Sequence, residues 1–413
     1  MTTQGHPAAG ATGPRSAASG SRHQGLLLAA LDKYVQKGRI AFVMNGQSAV
    51  VGRGEELDVR VRVHSHDFYR KVICYGNLGL AEAFMAGDFD VDDEQLPQLL
   101  TLLLQSRLDA QLAHDLHFVI HYAWIRLMNF AVSRKTNVQR HYDIGAELFD
   151  AFLRDRYQVY SCGYAHSVGD DIDSLQRNKL ERICQKLKLR SGHRMLDIGC
   201  GGAGLLIHAA LNHGIRGVGI TNSRAHHQLA LRNIRAHGLE DRIAIEFGDF
   251  SGVAGKFDRV ASVGMLEHVP PRTVSTFFRK VASVLTPGGW ALVHAIGLNA
   301  AKNKHDPFIQ KYIFPGSDTP KLSVMARNIE ANHLAIIDVE NIVRHYAITC
   351  RRWLEAFRCN RHTLDESYYD ASFKRMWEYY LSCGIAAATA GNLAVYQLLF
   401  TGDYHAPYSF QRV

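Results

Sequence analysis

The chain has 413 residues, 47% of them hydrophobic, enough to bury one large core or two moderate ones. A formal net charge of +8 suits an anionic partner, and composition alone does not separate nucleic acid from an acidic membrane surface. Cys74, Cys162, Cys184, Cys200, Cys350, Cys359 and Cys383 are scattered, odd in number and free of any CxxC pair. That pattern indicates neither a zinc site nor a disulfide framework, and a reducing cytosol is its simplest setting.

Residues 1–25 are rich in Gly, Ala and Ser, carry Arg15 and Arg22, and lack an acid. Without the apolar run of a signal peptide, they read as a disordered tail. Residues 26–110 read as a small α+β domain. Ile40-Ala41-Phe42-Val43 and the alternating Leu57-Asp58-Val59-Arg60-Val61-Arg62-Val63 are expected strands, and helix is expected from 96 onward. The span 111–140 reads as a linking helix. It is basic and aromatic, with Tyr122, Trp124, Arg126 and Phe130, so it suits either a membrane interface or packing on a core. No stretch reaches the ~20 unbroken apolar residues of a membrane span. Residues 385–400 come nearest but contain Asn392 and Gln397, and read as a helix followed by a strand from Leu393 to Phe400.

Residues 141–413 form the second expected domain. Ser174 can cap a helix carrying Leu180, Ile183 and Leu187. Strands are expected at 195–198, 217–221, 242–246, 258–263 and 290–296, with helices near 204–213, 224–237 and 272–285 between them. Alternating βα units imply a doubly wound, mostly parallel α/β sheet with helices on both faces. Such a sheet binds ligands at the carboxyl ends of its strands. There the sequence places Gly199 to Gly204, then Thr221-Asn222-Ser223, Gly248-Asp249, Glu267-His268, and His294 with Ile296. The spacing Gly199-x-Gly201-x-x-Gly204 also fits a dinucleotide fingerprint. That fingerprint needs an acid about 20 residues on, and Gly219-Ile220-Thr221-Asn222-Ser223 has none. Asp197, two residues before the first Gly, is instead typical of S-adenosylmethionine methyltransferases.

An ordered set of segments then resembles the cyclopropane-fatty-acyl-phospholipid synthases, and more distantly the mycolic acid cyclopropane synthases. The set is His141-Tyr142-Asp143-Ile144-Gly145, Tyr160-Ser161-Cys162-Gly163-Tyr164, the glycine loop, Gly264-Met265-Leu266-Glu267-His268, Val293-His294-Ala295-Ile296-Gly297, Lys311-Tyr312-Ile313-Phe314-Pro315-Gly316, His345-Tyr346-Ala347-Ile348-Thr349 and Arg375-Met376-Trp377-Glu378-Tyr379-Tyr380-Leu381. The resemblance implies the seven-stranded Rossmann-like methyltransferase sheet and S-adenosylmethionine as methyl donor. It further implies transfer to a cis double bond of an unsaturated phospholipid acyl chain, giving a cyclopropane ring. An alkene is a poor nucleophile and its methylation leaves a carbocation, so the site needs dry walls, aromatic faces and a base. Tyr160, Tyr164, Tyr346 and Trp353 are aromatics expected near it.

By the same resemblance the base is a bound bicarbonate ion, caged by Cys162, Glu267, His294, the backbone of Ile296 and Tyr346. Cofactor residues are implied at Tyr160, Ser161, Asp197, Gly199, Cys200, Gly201, Gly204, Thr221, Asn222, Ser223, His226, Gly248 and Asp249. The family commonly has Trp where this chain has Gly202 or Ala203, Gln at His226, and Leu at Cys350. Its carboxyl-terminal Cys falls about one position from Cys383. These departures bear on product and acyl substrate; a methyl-branched or methylene product is the alternative within the same chemistry. The resemblance also implies a homodimer and peripheral, cytoplasmic binding to an anionic membrane, docked by the amino-terminal domain. No helix-turn-helix or base-stacking platform is apparent, which argues against nucleic acid.

Overall fold

A computed structural model describes residues 15–56, 58–92, 94–108, 145–299, 306–315, 317, 319–403 and 405. The chain divides into two compact units, one drawn from residues before 140 plus Ala371–Tyr379, the other from 140–370 plus the residues from Tyr380 onward. The stretch expected as a single domain from 141 is therefore interrupted at Ala371–Tyr379.

The smaller unit begins with α1 (Arg15–Tyr34), which enters the segment expected to be a tail. Leu27, Ala30 and Leu31 are buried, and their spacing anchors this helix to a core. Next come β1 (Ile40–Met44), β2 (Gln47–Val51), β3 (Val59–Val63), α2 (Asp67–Tyr75), α3 (Asn77–Met85), β4 (Phe89–Val91) and α4 (Gln95–Gln105). Asn45 and Gly46, both at positive φ, form the two-residue turn that pairs Met44 with Gln47. The sheet order is β2-β1-β3-β4, and β3 alternates as expected, with Val59, Val61 and Val63 buried and Arg60 and Arg62 exposed. The expected linking helix, 111–140, lies outside the described residues, as do residues 141–144 of the first family-like segment.

The larger unit holds α5 (Ala146–Phe152), α6 (Ile172–Lys186), β5 (Arg194–Ile198), α7 (Gly204–His213), β6 (Arg216–Thr221), α8 (Arg224–Ala236), β7 (Ile243–Phe247), β8 (Phe257–Val263), α9 (Val274–Val284) and β9 (Leu285–Leu298). After these come α10 (Leu322–Ala331), β10 (Ala335–Asn341), α11 (Val343–Asn360), α12 (Ala371–Ala390), whose first nine residues belong to the smaller unit, and β11 (Leu393–Thr401). The seven strands run in the order β10-β11-β9-β8-β5-β6-β7. Pairings among β5 to β9 are parallel, and β11 alone runs antiparallel to both of its neighbours. This is the doubly wound, mostly parallel sheet expected from the sequence. Its order reverses at β5, between β6 and β8, which opens a crevice beyond the carboxyl end of β5.

Charge is buried where α6 meets β10. Arg182 grips Glu340 with two hydrogen bonds of 3.0 and 2.8 Å. Lys186, fully buried, places Nζ 3.1 Å from Asp338 Oδ2 and 2.6 Å from Glu340 Oε2. A single neutralisation strands the partners' charge in a low dielectric. Lys186→Met is expected to lower unfolding free energy by about 3–5 kcal/mol in urea titrations, and adding Asp338→Asn to recover part of the loss.

Candidate active site

The glycine turn at the end of β5 is built around one obligatory glycine. Gly199 sits at φ +82°, and a Cβ there would lie 2.5 Å from Met265 Cγ. Its amide donates to Ile220 O at 2.9 Å, and Asn233 Nδ2 holds Gly202 O at 2.9 Å, so the loop is braced from β6 and α8. Cys200 is buried under the turn, Gly201 has φ +52°, and Gly204 opens α7. At the end of β6, Thr221 Oγ1 accepts from the Ser223 amide (3.2 Å), and Ser223 Oγ caps α8 at the His226 amide (3.3 Å). Asn222 and His226 are exposed there. Gly248 N donates to Thr221 O (2.9 Å), and exposed Asp249 uses Oδ1 to cap Ser251 N (2.9 Å).

Beneath this rim lies a buried group of ionisable side chains. Asp197 is 3% exposed and its Oδ1 has no partner; burial pushes its carboxyl up to about 7, against the pull of Lys179. Lys179 is fully buried and donates to Ser161 Oγ at 3.0 Å. Burial lowers its ammonium to about 8, opposed by Asp155, Cys162 and Asp197. Asp155 accepts from the amides of Tyr157 (3.1 Å) and Val159 (3.1 Å), and burial raises it to about 6. Lys179 is absent from the expected site, yet a signal for it exists. It lies on the same face of α6 as Leu180, Ile183 and Leu187, so an amphipathic reading already places a lysine in the core.

On the other side of β5, β8 and β9 carry a second group. Glu267 Oε1 accepts from the Ile296 amide at 2.5 Å, while the buried Oε2 has no partner. Burial raises Glu267 to about 7, with the Ile296 hydrogen bond opposing. His294 is 1% exposed; burial lowers it to about 3, helped by the charges of Lys179 and Lys186. Its Nδ1 lies 3.3 Å from Gln397 Nε2 on β11. With that amide donating, the imidazole carries its proton on Nε2.

The third group is aromatic. Tyr160 hydroxyl lies 2.7 Å from that of Tyr380, and its ring packs on Trp353, Phe149 and Phe152 at 5.3–5.5 Å. Tyr346 and Trp353 meet edge to face at 6.5 Å. Burial drives the hydroxyls of Tyr160, Tyr346 and Tyr380 well above their ordinary range, and Cys162 upward likewise, so all stay protonated. Cys162 points Sγ at Gly163 O (3.2 Å) and lies 4.0 Å from Ile342 O. Ile342 N in turn bonds Val395 O (2.8 Å), and Val395 pairs with Ile296 in the sheet. A short path thus ties Cys162 to the Glu267 group.

Two placements, Tyr164 and the Ile296 amide, differ from the sequence reading, and one contact, at Gly384, was not anticipated. Tyr164 leaves the aromatic wall: it stacks on His345 (4.1 Å) under the Arg182 guanidinium (4.6 Å), drawn by charge at the α6–β10 contact. It is Gly384, next to half-buried Cys383, that lets α12 lie against Cys350 and Tyr346; a Cβ there would meet Cys350 Sγ at 2.8 Å. The Ile296 amide, expected to face a caged anion, instead donates to Glu267.

The family described as mycolic acid cyclopropane synthetase matches residues 131–398. The cyclopropane-fatty-acyl-phospholipid synthase of Escherichia coli (strain K12) is 35% identical over 343 residues, 83% of this chain and 87% of that protein. Tuberculostearic acid methyltransferase UfaA1 of Mycobacterium tuberculosis is 31% identical over 351 residues, 79% of each. The solved cyclopropane synthase MmaA2 from Mycobacterium tuberculosis shares the fold, with a TM-score of 0.58 at 23% identity over 64% of this chain and 96% of that one.

The chain belongs to the mycolic acid cyclopropane synthetase family. It is an S-adenosylmethionine-dependent methyltransferase. The residues fit that donor: the unpartnered Asp197 Oδ1, buried at the glycine turn, is the kind of acceptor an ammonium group would satisfy. They fit bicarbonate less fully. His294, Tyr346 and a protonated Glu267 can donate to an anion, but the Ile296 amide is engaged.

Two measurements follow from these charges. Lys179→Met removes the only cation opposing protonation of Asp197 in that group. It is expected to weaken S-adenosylmethionine binding by about tenfold or more in calorimetry, more steeply at low pH. Glu267 holds its proton more tightly folded than unfolded, so its contribution to stability falls as pH rises from about 4.5 to about 7. Glu267→Gln does not titrate. Its stability relative to wild type should therefore rise by up to ~3 kcal/mol between pH 4 and pH 8, read as urea midpoints.

Proposed function

We propose that this enzyme transfers a methylene from S-adenosylmethionine to a cis double bond of an unsaturated phospholipid acyl chain, closing a cyclopropane ring. The observation that carries this reading is the unpartnered, buried Glu267 Oε2, on a carboxylate held by the Ile296 amide two residues along β9 from neutral His294, in the unit that also holds the aromatic cluster of Tyr160, Trp353 and Tyr346. When bound, S-adenosylmethionine supplies an electrophilic methyl group, and bicarbonate a basic oxygen. Asp197, Ser161 and the glycine turn orient the donor. Burial of the site keeps water from the carbocation formed on the lipid, and the faces of Tyr160, Trp353 and Tyr346 spread its charge. Glu267, titrating near neutrality, and the Nε2 proton of His294 hold the base.

The net charge of +8 supports an anionic membrane as the source of substrate, with the amino-terminal unit docking on it from the cytoplasmic side. Among the described residues no helix is long and apolar enough to cross a membrane. The relative that is a tuberculostearic acid methyltransferase favours a second reading, a methyl-branched or methylene product.

Expression in a cell lacking ring-bearing lipids, followed by proton NMR of the extracted lipid, separates the two. High-field cyclopropyl protons are expected; vinylidene protons or a branched methyl signal without them overturns the ring assignment. Glu267→Gln should lower the rate by about 10²–10⁴-fold with S-adenosylmethionine affinity near wild type.

A further inference from the structure

Away from the rim, four side chains with ligand chemistry converge where α6 packs on α7. Glu181 and Cys184 are three apart on α6; His208 lies on α7 and His213 ends it. Glu181 Oε2 is 3.1 Å from Nε2 of His208 and 3.1 Å from Nε2 of His213. Ligand atoms of Cys184, His208 and His213 all lie within 4.8 Å of one another. Ligands at 2.0–2.3 Å from a tetrahedral zinc ion stand roughly 3.3–3.8 Å apart, so small shifts would close Cys184, His208 and His213 around an ion, and Glu181, which already reaches both imidazoles, is the nearest fourth donor.

We propose that Glu181, Cys184, His208 and His213 form a tetrahedral Zn²⁺ site that clips α6 to α7. One thiolate, two imidazoles and a carboxylate are a borderline-soft donor set that suits zinc. Cys184 is fully buried and His208 is 5% exposed, while the Glu181 side chain is 36% exposed and leaves an approach from solvent. Asn212 Nδ2 lies 3.3 Å from His208 Nδ1; ligation through Nε2 leaves the imidazole proton on Nδ1 and turns that amide over. None of the four belongs to the machinery above. Their consequence is mechanical, because α7 starts at Gly204 of the cofactor turn.

The test uses the full chain, stripped with chelator, titrated with ZnCl₂ alone and with CoCl₂ alone. One equivalent of zinc should bind, raise the melting temperature and be removed by chelator. Cobalt should show a thiolate charge-transfer band with tetrahedral d–d absorption. Cys184→Ala and His213→Asn should each weaken zinc by about 10–100-fold or more while still binding S-adenosylmethionine, which reports their folding. The absence of a cobalt–thiolate band in the wild-type chain, or zinc affinity unchanged in both variants, overturns the site.

Discussion

The turn after β5 depends on Gly199 having no side chain. Its φ of +82° starts the five-residue turn, 199–203, that carries the chain from β5 to α7, and its bare Cα lets Met265 close over it. Met265 leads directly into the short turn Leu266–His268 that carries Glu267. One missing Cβ therefore bears on two segments at once: the glycine loop after β5 and the turn that carries Glu267. A methyl group at this point would push the two apart by a distance comparable to a bond length, and enzymatic geometry does not tolerate that.

Around this joint the dominant electrostatic effect is loss of water. Asp155, Asp197 and Glu267 are raised, Lys179 and His294 are lowered, and in each case burial is the leading cause. Groups so displaced titrate near neutrality or stay uncharged, which is what acid–base work and donor orientation ask of them. The structural ion pairs at Arg182, Lys186, Asp338 and Glu340 show the contrasting solution, in which buried charges meet partners directly. Glu340 is held below its ordinary value there by Arg182 and Lys186, despite burial.

Much of this was legible in the residues themselves. Parallel strands at β5 to β9 follow from apolar runs ended by Gly or Asn, and the rim residues follow from where those runs end. The alternation Val59-Arg60-Val61-Arg62-Val63 announced a half-buried strand, and β3 is one. Lys179 escaped because a lysine in an apolar stripe is normally taken as a snorkelling surface residue. Tyr164 was misplaced because motif adjacency to Tyr160 says nothing of direction: four residues on, the chain has turned toward Arg182 and His345.

The sequence by itself determined the βα alternation, the glycine turn and the family, because these are written in local pattern and ordered motifs. Only the tertiary structure decided that β11 runs against its neighbours, that the Ile296 amide serves Glu267, and that Gly384 faces Cys350 and Tyr346. It alone also gathered Cys184, His208 and His213, with Glu181 bonded to both imidazoles, residues whose spacing along the chain carries no metal motif. The physical reason is shared: strand direction, hydrogen-bond partners and ligand sets arise between segments distant in sequence, where packing and desolvation, not local propensity, choose the neighbour.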